Sequence, residues 1–106
     1  MSKKEKKKEI KKIVNKIKNY YHPEKVILFG SHAYGTPHID SDIDLAIIKN
    51  TKKRFQQRNV EARLLLSESA FPIDILVFTP AEFSINQDKN PLIQEIATKG
   101  IVMYEK

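Results

Sequence analysis

Residues 25–48, KVILFGSHAYGTPHIDSDIDLAII, carry the reading on which the fold turns. KVILF (25–29) is a short run suited to a buried strand, and Gly30 ends it. SHAYG (31–35) reads as a brief helical turn with Ser31 as its N-cap and Gly35 as its stop. TPHIDS (36–41) has the composition of a loop, and DIDLAII (42–48) reads as a second strand. Alternate residues of a strand project to one face, so Asp42 and Asp44 stand side by side while Ile43 and Leu45 point away. Like charges at that spacing repel, and both remain ionised only with something positive between them. A divalent cation meets that need.

Outward from this stretch, Ile10, Ile13, Val14 and Ile17, continued by Tyr20 or Tyr21, follow the spacing of an amphipathic helix whose other face is lysine. Pro23 closes it. On the other side, a helix is expected from about Lys52 to Ser67, with Phe55, Ala62 and Leu66 on its inner side. PIDILVF (72–78) is a third strand. In TPAE, Thr79 is an N-cap, Pro80 the first helical residue and Glu82 the third member of a capping box. Asn90 and Pro91 open a last helix that Lys99-Gly100 closes, and IVMY (101–104) is a final short strand. The order implies a central β-sheet flanked by helices, in the α/β (α+β) class.

The 106 residues are the size of one ordinary domain, so 1–106 is read as a single unit whose basic first turns, 1–9, are expected to fray. With 41% hydrophobic and 30% charged residues the chain lacks the apolar depletion of a disordered protein. The absence of cysteine excludes disulfides, thiolate metal sites and a cysteine nucleophile. No apolar stretch approaches the roughly 20 residues of a membrane helix. MSKKEKKKEI has lysines where a signal peptide needs apolar residues, so a cytoplasmic protein is expected. The net charge of +6 is unevenly placed: residues 1–18 hold nine lysines and two glutamates, and the remainder carries −1. A lysine-rich helix start of this kind reads first as a solvated face, with a phosphate or partner contact as the alternative.

Three features point to chemistry. Gly30-Ser31 lies where a strand gives way to a helix start, a place suited to an anion because glycine lets the backbone approach closely. Asp42 and Asp44 offer hard oxygen ligands, and Mg²⁺ takes one or two protein carboxylates with water and phosphates completing its shell. Asp74 is the single charged residue of an otherwise apolar strand, a setting in which an ionised Asp needs a partner. If that strand lies beside the Asp42–Asp44 strand, the three carboxylates converge.

An apolar strand, Gly30-Ser31, ten further residues, Asp42-Ile43-Asp44 and a later strand-borne Asp74 together resemble the DNA-polymerase-β-type nucleotidyltransferase superfamily, and the short form is similar to its minimal nucleotidyltransferases of the MntA type. The resemblance of element order runs from about Ile10 to Tyr104. It implies a mixed sheet with the aspartates on neighbouring strands. It further implies that Gly30 and Ser31 hold the triphosphate of ATP, that Asp42 and Asp44 bind two Mg²⁺ ions, and that Asp74 binds the ion activating the nucleophile. Family members often carry arginines just after the Gly-Ser, whereas this chain has His32 and Tyr34, which implies weaker triphosphate binding, with His32 read either as a phosphate donor or as a surface histidine near the mouth. His22 and His38 read as loop residues. The partner implied is a helical HEPN-domain ribonuclease toxin, AMPylated on a tyrosine and so silenced. Two other readings compete: an antitoxin of the same fold that binds without catalysis, and a nucleotidyltransferase acting on RNA or a small molecule. No membrane role is expected, and a homo-oligomer is left open.

Overall fold

The computed structural model describes residues 3–35, 42–69 and 71–106. The expected loop at 36–41 lies outside them. Nine elements follow one another: α1 (Lys3–Tyr21), β1 (Lys25–Phe29), α2 (Ser31–Tyr34), β2 (Ile43–Ile48), α3 (Phe55–Leu65), β3 (Ile73–Phe78), α4 (Pro80–Ile85), α5 (Pro91–Lys99) and β4 (Ile101–Glu105). The strands form one mixed sheet in the order β3-β2-β1-β4. β1 runs antiparallel to both β2 and β4, and β2 runs parallel to β3 through the α3 crossover. Among the described residues no helix is long and apolar enough to cross a membrane.

Because the side-chain period of a strand is two, each strand feeds two cores. On one face Val26, Leu28, Ile43, Leu45, Ile47, Ile75 and Val77 pack under α1 and α3. The helix partners there include Ile10, Ile13, Val14, Ile17 and Ala62, as the spacing of α1 requires. On the other face Ile27, Phe29, Ala46, Ile48 and Phe78 meet Ile93 and Ile96 of α5. Near the end of α1 the tyrosines divide, with Tyr21 buried and Tyr20 exposed. His22 then takes a positive φ of 55°, which turns the chain ahead of Pro23.

Three local expectations are corrected. The N-cap of α2 is Gly30 rather than Ser31, so the cap residue brings no side chain to that helix start. β2 begins at Ile43, leaving Asp42 just ahead of it. In α3, Phe55 is 37% exposed despite its contact with Phe78, at 5.9 Å between ring centroids, while Arg58 is buried instead. Arg58 can be buried because every face of its guanidinium is used. Its Nε donates to the Lys53 carbonyl at 2.7 Å, and its terminal nitrogens donate to both Glu82 oxygens at 2.7 and 3.3 Å. The caps of the later helices follow the sequence. Thr79 and Glu82 form the capping box of α4, and Asn90 accepts from Leu92 and Ile93 at the start of α5.

Candidate active site

The end of β1 and the starts of β2 and β3 meet at one end of the sheet, because β1 is antiparallel to β2 and β3 is parallel to it. In the register, Phe29 stands opposite Asp44, and Asp44 stands opposite Asp74. Asp44 and Asp74 therefore share a face on adjacent strands, on the side where α5 packs. Asp42, two residues before Asp44, is exposed at the mouth.

Gly30 leaves β1 with φ 75° and ψ −155°, a conformation open essentially to glycine alone. The space a Cβ would need at Gly30 is taken by the carboxylate of Asp44. The glycine is thus required twice, once by the backbone angle and once by the acid group lying against it. Its carbonyl accepts from the N–H groups of Ala33 and Tyr34 at 3.1 and 3.2 Å, closing the single turn of α2. Ser31 and His32, both half-buried, open that turn, and their N–H groups precede any intrahelical acceptor. Across the site Tyr34 donates to Oε2 of Glu95 at 2.7 Å, while Lys99 stands 5.8 Å above the Tyr34 ring, and these contacts tie α2 to α5.

Electrostatics single out Asp44. Burial pushes its carboxyl up, the charges of Asp74 and Asp42 push it further, and His32 pulls it back, leaving it at about 6. A carboxyl this high marks a surplus of negative charge in a partly dry setting. Arg63 of α3 reaches Asp74 at 3.2 Å, both side chains being about half exposed. Neither Arg63 nor the Tyr34–Glu95 tie was foreseen, since each joins residues far apart in the chain. The place of Asp44 at the head of β2 was legible from spacing, whereas Asp42, expected on the same strand, lies just ahead of it.

Could these residues hold a magnesium ion? The donors are hard oxygens, Asp44 and Asp74 face the same side, and Gly30 keeps the space above Asp44 clear of side chain. Among the described residues no group of three acidic, imidazole or thiol side chains forms a ready cage. Magnesium does not demand one, since one or two carboxylates with water and substrate phosphates suffice. The residues fit the ion.

The polymerase beta nucleotidyltransferase family model matches residues 11–106, which takes in every element of this site. The chain belongs to that family. As a nucleotidyltransferase it shares its fold with several solved proteins. A Sulfolobus solfataricus protein assigned as a nucleotidyltransferase superposes with a TM-score of 0.66 at 19% identity, over 93% of this chain and 79% of that one. A variant of the MntA-HpeT toxin–antitoxin gives 0.63 at 21% identity, over 90% and 72%. A toxin–antitoxin crystallised with AMP-PNP gives 0.64 at 22% identity, over 92% and 73%. No curated protein sequence matches the chain.

Proposed function

We propose that this nucleotidyltransferase moves AMP from ATP, with Mg²⁺, to a tyrosine hydroxyl of a partner HEPN ribonuclease toxin, and so acts as an antitoxin. The observation that carries the reading is the register pair Asp44–Asp74 beside Gly30, where like charges are held together on a face left open by a glycine. Two further facts support the partner and the donor. The solved relatives include toxin–antitoxin proteins, one of them with the ATP analogue AMP-PNP. The MntA-HpeT variant carries glutamates in place of two aspartates separated by one residue, the spacing of Asp42 and Asp44.

In this reading the acceptor oxygen bonds to the α-phosphorus of ATP, the bond to the β-phosphate oxygen breaks, and pyrophosphate leaves with that electron pair. Magnesium supplies charge neutralisation and a more acidic acceptor hydroxyl. Asp42, Asp44 and Asp74 would hold it, and the Asp74 carboxylate would also draw off the hydroxyl proton. Gly30, Ser31 and His32 take the triphosphate through backbone N–H groups and the imidazole. Positioning and charge stabilisation carry most of the rate in such transfers, so a rigid strand pair is a suitable platform. Incubation of the protein with ATP, Mg²⁺ and the toxin of a neighbouring reading frame is expected to add AMP to the toxin, detected by mass spectrometry. No addition by the wild type, or equal addition by Asp42→Ala, overturns the proposal.

The Arg63–Asp74 ion pair favours a second reading, in which the fold grips its partner without transfer. Toxin neutralisation that survives in an Asp42→Asn, Asp44→Asn variant would select it.

A further inference from the structure

The start of α1 breaks two rules of helix stability. Lys4, Lys7, Lys8, Lys11 and Lys12 are all exposed and recur at i, i+3, i+4, i+7 and i+8. At 100° per residue they form one stripe spanning about 140° of the helix. Like charges at i, i+4 repel, and the pairs 4–8, 7–11 and 8–12 each lower helix stability by a few tenths of a kcal/mol. Cations in the first turn also oppose the helix dipole, which only Glu5 complements there. Among the described residues none of the five is in an ion pair. The i, i+3 neighbours Glu5–Lys8 and Glu9–Lys12 offset only part of this cost, and local rules left partly broken point to a role outside the fold.

The direction of α1 places this stripe. At its C-terminal end Tyr21 donates to the carbonyl of Arg58 and its own carbonyl receives Lys49, which lies just past the end of β2. At its N-terminal end the buried Lys6 stands 5.8 Å over the ring of Phe71, just before β3. Pro72, the next residue, accepts from the N–H of Ile43 at 2.9 Å. The first turns of α1 therefore lie at the same end of the sheet as Asp42, Asp44 and Asp74, on the opposite face.

We infer that the stripe Lys4-Lys7-Lys8-Lys11-Lys12 binds the phosphate backbone of a nucleic-acid strand without sequence preference, at the same end of the sheet as the transfer site. The stripe contains no apolar or aromatic anchor. Protein interfaces are centred on such anchors and are depleted of lysine, whereas a phosphate backbone asks only for a row of cations. Lysine, a point charge without the planar fork of arginine, suits contact that reads no bases. The inference goes beyond the proposed transfer and needs neither ATP nor a toxin.

Fluorescence anisotropy with a labelled 20-nucleotide poly(U) RNA tests it. With five single-strand phosphate contacts the slope of log K against log salt is about −3.5, so affinity should fall roughly 100-fold between 50 and 200 mM KCl. Changing all five lysines to glutamine, a good helix former, should flatten that slope and weaken binding at 50 mM by at least about 30-fold. Circular dichroism should show α1 retained in this variant. Lys89→Gln with Lys106→Gln, away from the stripe, should leave binding unchanged. Wild-type-like binding by the five-lysine variant, or salt-independent binding by the wild type, overturns the inference. So does tighter binding of poly-L-glutamate than of the RNA at equal charge, which would assign the stripe to an acidic protein. Asp44→Asn should bind RNA like the wild type, so a failure of the transfer proposal stays separate from a failure here.

Discussion

Two charged clusters sit at opposite ends of β3, and they have been resolved in opposite ways. At its C-terminal end Arg58 and Glu82 form a two-pronged pair whose guanidinium also caps the Lys53 carbonyl. The hydrogen bond from Arg58 holds Glu82 below the usual carboxylate range. At its N-terminal end Asp44 faces Asp74 in register with Asp42 nearby, and burial with those charges holds Asp44 at about 6. One cluster uses charge to fasten a helix to the sheet. The other gathers charge against the interest of the fold, as sites built to meet a cation or a reacting group do.

The contrast breaks most sharply under a single substitution. Asp44→Asn should lower AMP transfer by about 100- to 1,000-fold, the scale seen when one preorganised electrostatic element is removed. A smaller loss in steady-state kinetics would remove Asp44 from the chemistry. Gly30→Ala comes next, because it forces a Cβ into the positive φ of 75° and against the Asp44 carboxylate. A stability loss of about 2 to 3 kcal/mol is expected by urea denaturation. A Gly30→Ala variant as stable as the wild type would mean that Gly30 and Asp44 do not touch.

Arg58→Met tests the fastening cluster. It should cost about 2 kcal/mol, discounted from the buried-pair range because Glu82 remains half exposed. Transfer per folded molecule should be unchanged, and a large change in kcat would blur the division between the two ends. The smallest effect has the opposite sign. Without metal at pH 7.5, Asp44→Asn should gain about 1 kcal/mol after allowance for solvent screening.

The pH dependence sharpens the same contrast. Asp44 has a raised value when folded, so its ionised form penalises the fold above about pH 6, and the penalty fades as pH falls from there toward 3.8. The advantage of Asp44→Asn should therefore vanish near pH 4. Glu82 has a lowered value, so its contribution is present above about 4.5 and is lost as pH falls through its folded value. Millimolar Mg²⁺ should raise the melting temperature of the wild type and leave that of Asp44→Asn nearly unmoved.

What the sequence determined by itself is whatever short spacings dictate: the apolar stripe of α1, the strands at 25–29 and near 43–48, the caps at Thr79 and Asn90, and the place of Asp44 at the head of the second strand. Those follow from the periods of helix and strand and from side chains bonding their own backbone a few residues away. Only the tertiary structure decided that β3 lies parallel to β2 with Asp74 opposite Asp44, that Gly30 yields its Cβ space to that acid, and that Arg58 rather than Phe55 goes inside. Arg63 on Asp74 belongs to the same group. Each of these joins segments separated by a crossover or a turn, where strand pairing and burial act over distances that no local pattern of residues encodes.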